Sequence, residues 1–252
     1  AHLYMKRDVK PTSVRSSERY QQEIYEHDLI CLMLNERLSK QQSGAKAPFT
    51  AASVKDGKFL IVQTKKAFSL SVSCKGDQIE AGLSAAVGLL EQARQWGFTT
   101  GELTRAKGIL RNKAERCNNQ RGQLANHHYV KQCLDHYLYG EPILSTAEEL
   151  HVRRKFDAEL TLADVNTAIK ELVTDRNQVL LLYAPKKADF RVPSTEQLER
   201  CVRGAQKKSY PAYQECVRPK MLLTAFPRPG KILAEYDHTK AGVRVFKLSN
   251  GI

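Results

Sequence analysis

Gly97-Phe98-Thr99-Thr100-Gly101-Glu102-Leu103-Thr104-Arg105-Ala106-Lys107 reads as the junction between two helices. Gly97 stands where a helix C-terminal cap belongs, because glycine enters the left-handed region without a side-chain clash. Thr99 and Glu102 have the spacing of a capping box, in which the hydroxyl and the carboxylate satisfy each other's backbone N–H groups. Before the junction, Ile79, Leu83, Ala86, Leu90 and Ala93 recur at steps of four, three, four and three. After it, Leu103, Ala106, Leu110, Ala114 and Cys117 continue a helical stripe. Two amphipathic helices joined this tightly need a common apolar surface to cover.

The upstream residues supply that surface. The first ten residues read as a strand, Pro11 to Arg15 as a connector, and Ser16-Ser17 as caps of a helix running to about Lys40. Its apolar side carries Ile24, Cys31, Leu34 and Leu38, broadened by Leu29, Ile30, Leu32 and Met33. A polar loop, Gln41 to Pro48, leads into Phe49 to Val54. Asp56-Gly57 is a turn signal, and Phe59 to Gln63 reads as the return strand. Phe68, Leu70, Val72 and Cys74 then alternate with Ser69, Ser71 and Ser73. That period of two predicts a strand with one face on a core and one polar face. Three successive strands with short turns predict an antiparallel sheet.

Downstream, a helix is predicted over about Gln123 to Tyr139, with Leu124, His127, Val130, Leu134 and Leu138 on one side and Gly140 and Pro142 stopping it. Ser145-x-x-Glu148 and Thr161-x-x-Asp164 start two more. The uninterrupted apolar run Asn177 to Ala184 predicts a central strand, ended by Pro185. Ser194-x-x-Gln197 opens a last helix to about Lys208. Pro211, Pro219, Pro227 and Pro229 then mark a surface linker. Ile232 to Tyr236 and Val243 to Leu248 form a hairpin around Asp237 to Gly242. The expected architecture is α+β, an antiparallel sheet covered by helices on one face. Residues 1–208 form that domain, 209–230 the linker and 231–252 the first hairpin of a following domain. The chain starts within a strand and stops at Asn250-Gly251, a hairpin signal with no return strand, so a segment of a longer polypeptide is expected.

Composition bounds the function. Forty Lys and Arg against 27 Asp and Glu give a net charge of +13 among 252 residues that are 42% hydrophobic. That is globular rather than disordered, and no apolar run reaches the length of a membrane span. The cations are dispersed over Lys65-Lys66, Arg105, Lys107, Arg111, Lys113, Arg116, Arg153-Arg154-Lys155, Lys186-Lys187 and Lys207-Lys208. No RNA-binding aromatic signature accompanies them, so nucleic acid is not the expected partner. A solvated basic surface, or a face matched to acidic segments outside this chain, is expected instead. The six cysteines form no C-x-x-C. Cys31, Cys74, Cys117 and Cys133 fall on apolar faces and are expected as buried free thiols. Glu148 and Glu149 are adjacent at a helix start and complement its dipole.

The histidines are His2, His27, His127, His128, His136, His151 and His238. Zinc peptidases need two His one helical turn apart with a Glu between, as H-E-x-x-H or H-x-x-E-H, so that both imidazoles meet one metal. No pair has that spacing; His127, His128 and His136 share a helix at separations of one, eight and nine. There is no G-x-G-x-x-G, no P-loop and no G-x-S-x-G. Neither catalytic nor metal-binding residues are expected, and the residues do not single out a substrate-binding set.

The junction Gly97 to Lys107 resembles the G-F-T-x-x-E-L-x-x-A-K signature of the pitrilysin/insulinase family of zinc metallopeptidases. Leu32-Met33-Leu34-Asn35-Glu36-Arg37-Leu38 is similar to that family's M-L-N-x-R-L helix, and Leu160-Thr161-Leu162-Ala163-Asp164-Val165 to its I-T-x-x-D-V helix start. Pro229-Gly230-Lys231-Ile232 and Leu248-Ser249-Asn250-Gly251 resemble the start of its third domain. The resemblance implies two halves closing around a chamber, each built of two α+β domains, with zinc and the catalytic Glu supplied by the first domain. This chain looks like the second, non-catalytic domain, lining the chamber with its polar sheet face at Ser69, Ser71 and Ser73. The implied partners are other domains of the same polypeptide and a peptide substrate. Zinc would belong to the parent protein if active. A bacterial parent would be expected in the periplasm. The alternative is a structural or peptide-binding domain of a catalytically inactive relative.

Overall fold

The computed structural model describes residues 1–44, 47–185, 191–215, 229–238 and 242–251. Strand β1 (His2–Asp8) and a single helical turn, α1 (Thr12–Arg15), lead into the long α2 (Glu18–Gln42). Ser17 caps α2 by accepting from the Tyr20 N–H. Strands β2 (Ala51–Phe59) and β3 (Val62–Ser73) follow, then α3 (Ile79–Trp96), α4 (Thr100–Asn119), α5 (Asn126–Tyr139), α6 (Thr146–Glu159) and α7 (Leu162–Leu172). Strand β4 (Gln178–Leu181) and α8 (Thr195–Lys207) complete the first unit, Ala1–Gln214. A second unit begins at Glu215 and contains the hairpin β5 (Ile232–His238) and β6 (Val243–Leu248). In it Arg244 pairs with Glu235 and Asp237 across the strands.

The sheet order is β2-β3-β1-β4, antiparallel throughout. One face carries Leu3, Met5, Val54, Phe68, Leu70 and Val72, all buried. Helices α2 and α3 pack on that face, with Leu29, Met33, Leu83, Val87 and Leu90 in the shared core. Helices α4, α6 and α7 lie against α2 and α3, and α8 against α3. This is the expected α+β arrangement with helices on one face.

The capping boxes are all formed: Thr99 with Glu102, Ser145 with Glu148, Thr161 with Asp164, and Ser194 with Gln197. At the α3–α4 junction, Gly97 has φ of +75°, and a Cβ there would lie 2.5 Å from the Asn166 side chain. Glu102 also receives Arg37 from α2, at 2.7 and 2.8 Å, with both side chains almost fully buried. The Arg37 guanidinium donates to the Gly97 carbonyl at 2.9 Å and lies 5.0 Å from the Phe98 ring and 4.0 Å from the Tyr213 ring. One ion pair thus ties α2, the junction and the segment after α8.

Four local expectations are corrected. Asp56-Gly57 is not a turn: it lies within β2, and the two-residue turn is Leu60-Ile61, so two long strands replace the expected three. The reason is tertiary. Asp56 faces the helices, where Arg7 and His27 hold its carboxylate. Leu60 consequently takes φ of +53°, unusual for a branched side chain. Strand β4 is an edge strand, half-buried, rather than central. The α5 stripe expected on one side faces outward: Val130, Leu134 and Leu138 are about half exposed, while His128, Gln132, Asp135 and Tyr139 turn inward. Gln132 donates to the Leu144 carbonyl and Lys58 lies over the Tyr139 ring, so polar contacts dock this helix. Cys133 is exposed for the same reason, and Cys31, Cys74 and Cys117 are only partly covered. Cys216, Lys186 and Lys187 lie outside the described residues.

Residues 208–213, where the sequence reading begins a linker, are strapped to α3. Gln95 donates to the Lys208 carbonyl at 2.8 Å and accepts from the Tyr210 N–H at 3.0 Å. Trp96 and Gln92 donate to the Tyr210 and Pro211 carbonyls at 2.7 and 2.9 Å. Gly88 admits the Tyr210 ring, which a Cβ would approach within 2.8 Å.

Candidate functional site

The sheet face opposite the helices is the candidate site. Alternation along the strands puts His2, Tyr4 and Lys6 of β1, Ser53 and Lys55 of β2, Ser69, Ser71 and Ser73 of β3, and Val179 and Leu181 of β4 on it. Each of these residues is exposed or half-exposed. The polar face read from the three serines is therefore present, but it is wider than the sequence showed. The Tyr4 ring meets Phe59 edge-on at 5.3 Å, stacks with His2 at 6.2 Å, and His2 meets Tyr183 edge-on at 5.6 Å. These four rings cross the sheet as a row. Lys6 lies 5.5 Å above Phe59. Ala67 shares the parity of the serines yet is only 2% exposed.

The hydroxyls are partly engaged. His2 Nδ1 and Ser71 Oγ are 2.9 Å apart, and Ser69 donates to the Lys55 carbonyl at 2.9 Å. Burial lowers the His2 pKa, favouring the neutral ring. The face combines aromatic edges, neutral hydrogen-bonding groups and two lysines. It can receive peptide-like surface by stacking and hydrogen bonding.

Titratable side chains cluster on the other side, beneath the helices. Arg7 grips Asp56 through both carboxylate oxygens, at 2.7 and 2.6 Å, and His27 Nδ1 reaches the same carboxylate at 2.9 Å. Burial alone would raise the Asp56 pKa, but the bonds from His27 and Arg7 pull it down to about 2. Burial pushes the Cys31 thiol up to about 12, so it is no nucleophile at neutral pH. Burial, and then the bond to Asp157, raises the Tyr25 phenol. Burial also raises Glu91, whose carboxylate receives Arg94.

Several of the basic side chains are paired within the chain. Arg105 meets Glu36, Arg111 meets Asp157, Arg153 meets Asp28, Arg154 meets Glu115 and Lys155 meets Glu18. Lys107 donates to the Asp157 and Leu160 carbonyls at the end of α6. Among the described residues, no three His, Cys, Asp or Glu side chains come together to hold a metal. His136 bonds the Glu141 carbonyl, and His127 and His128 share its helix without converging on it. The described residues do not fit a zinc ion. No described helix is long and apolar enough to cross a membrane.

The described residues thus form an antiparallel sheet with helices on one face and an exposed or half-exposed opposite face. No family profile matches the chain. The zinc protease PQQL-like of Arabidopsis thaliana is 21% identical over 168 residues, covering 67% of this chain and 18% of that protein. The periplasmic protease PqqL from Escherichia coli superposes with a TM-score of 0.68 at 18% identity, over 99% of this chain and 27% of the other. An insulinase family protease from Yersinia pestis gives 0.68 at 14% identity, over 81% of this chain and 43% of the other. The chain shares the fold of these proteases, and it spans about a fifth of the length of the curated relative it matches.

Proposed function

We propose that this chain is a non-catalytic chamber-wall segment of a zinc-dependent endopeptidase that degrades peptides in a closed chamber. The observation that carries the reading is the uncovered sheet face, lined by rings and hydroxyls, in a chain that lacks H-x-x-E-H. Zinc and the catalytic Glu would come from another part of the polypeptide. The wall would contribute contacts to the substrate: stacking on Tyr4, Tyr183 and Phe59, and hydrogen bonds to Ser53 and Ser71. Such contacts tolerate many side chains, as a degrading chamber requires. A bacterial parent would act in the periplasm. The partners are the other domains of the same polypeptide and the peptide.

Zinc content and peptide hydrolysis of the purified chain test the reading. The expected result is no stoichiometric zinc and no cleavage that a chelator abolishes. One zinc per chain with chelator-sensitive cleavage would overturn it.

A further inference from the structure

Charge is unevenly distributed over the open sheet face. Of the charged residues in the strands, alternation puts Lys6 and Asp8 of β1, Lys55 of β2 and Lys65 of β3 on it. Lys65 bonds Asp8 directly across the β1–β3 pair. Lys6 and Lys55 have no acidic partner among the described residues. The acid next to Lys55 in sequence, Asp56, points to the helix side and is held there by Arg7 and His27. The strands therefore present three lysines against one aspartate on this face, and the two lysines in excess are Lys6 and Lys55.

The two side chains are brought to one row of the sheet. In the register, Lys6 of β1, Ala67 of β3 and Gly57 of β2 lie side by side. Phe59 reaches over β3 from β2 to meet Tyr4 edge-on at 5.3 Å and the Lys6 Nζ at 5.5 Å. That closes over Ala67 and accounts for its 2% exposure. Lys55 stands two residues from Gly57 on the same side, and a Cβ on Gly57 would lie 3.7 Å from the Lys55 Cε. The Lys55 side chain therefore runs along β2 to the same row, over a position that has no side chain of its own. The result is a pair of lysines over a floor of Gly57, Ala67 and Phe59, beside the Tyr4 ring. A carboxylate offers two acceptor oxygens to such a pair of donors, and the rings offer surface to an apolar neighbour. Tyr4 and Lys6 are two residues apart, or about 7 Å along the strand, which matches alternate residues of an extended peptide.

We infer that Lys6 and Lys55 form a subsite on the open face that receives the Glu or Asp side chain of an extended peptide substrate, with an apolar residue two positions away lying on Tyr4 and Phe59. The inference rests on the wall reading and adds a substrate class to it: acidic peptides are preferred to neutral ones of the same shape. The rings and hydroxyls remain tolerant of sequence, and the lysine pair supplies the preference.

The probe is the peptide Gly-Ser-Leu-Gly-Glu-Gly-Ser, blocked at both ends so that Glu carries its only charge, and its comparison is the same peptide with Gln in place of Glu. Each is titrated to about 5 mM into isotopically labelled protein and followed by amide chemical shifts. The expected result is saturable shifts at Lys6, Lys55 and Gly57, with the Gln peptide binding at least about fivefold more weakly. The preference should fall below about twofold in about 0.5 M NaCl. It should vanish in Lys6→Gln/Lys55→Gln and survive in Lys6→Arg/Lys55→Arg, which keeps both charges. Equal binding of the two peptides, or a preference that persists in the Gln variant, would overturn the subsite and leave the wall reading standing. Absence of shifts on the open face with either peptide would overturn both.

Discussion

The two faces of the β2-β3-β1-β4 sheet come from the same strands, one residue apart, and differ in almost every physical respect. The helix-covered face is close-packed, with Phe68 and Leu70 fully buried and a hydrogen-bonded triad of Arg7, Asp56 and His27 at its end. The opposite face shows rings, serines and lysines to solvent. A one-residue slip in register would exchange them. The difference teaches that stability resides on one side of the sheet and leaves the other free to be shaped for contact.

That asymmetry can be broken experimentally. The largest effect is expected at the α3–α4 junction. Glu102→Ala strands the buried Arg37 charge and dissolves a capping box, and should cost about 3–5 kcal/mol in urea unfolding. On the covered sheet face, Leu70→Ala should cost about 2–5 kcal/mol by loss of burial and creation of a cavity. The Asp56 triad adds a pH dependence. Its folded pKa lies below the unfolded one, so its contribution is complete above about pH 4 and is lost as pH falls through about 2. The loss amounts to about 2 kcal/mol, and Asp56→Asn should remove that part of the acid transition. On the open face, Tyr4→Ala should cost only about 1 kcal/mol, the worth of its contacts with Phe59 and His2. Ser69→Ala should stay below about 1 kcal/mol. Thermal or urea unfolding of these two variants sharpens the comparison. If they cost as much as Leu70→Ala, the two faces are equally structural and the asymmetry fails.

The features legible in the sequence were those carried by local chemistry. The four capping boxes needed only a hydroxyl and an acceptor three residues apart, and each is formed. The alternation of Ser69, Ser71 and Ser73 with Phe68, Leu70 and Val72 correctly assigned the two sides of β3. Features set by distant partners were not legible. Asp56-Gly57 has the chemistry of a turn, but Arg7 and His27, both far along the chain, require Asp56 within a strand. The run ending at Ala184 is apolar because β4 touches the core groove on one side and the ring row on the other, which imitates a central strand. Helix α5 has an ordinary amphipathic period, and nothing in that period says which side turns inward. The ring row of Tyr183, His2, Tyr4 and Phe59 joins β1, β2 and the segment after β4, so only the register reveals it.

The central claim is that the open face, and not the helical face, meets peptide in the assembled protein. It is tested most directly by placing a photoreactive side chain at Ser53 on the open face, and separately at Lys170 on α7, in the full-length polypeptide with a peptide substrate bound. The account predicts cross-linking to the peptide from Ser53 and none from Lys170. Cross-linking from Lys170 alone, or equally from both, would contradict it.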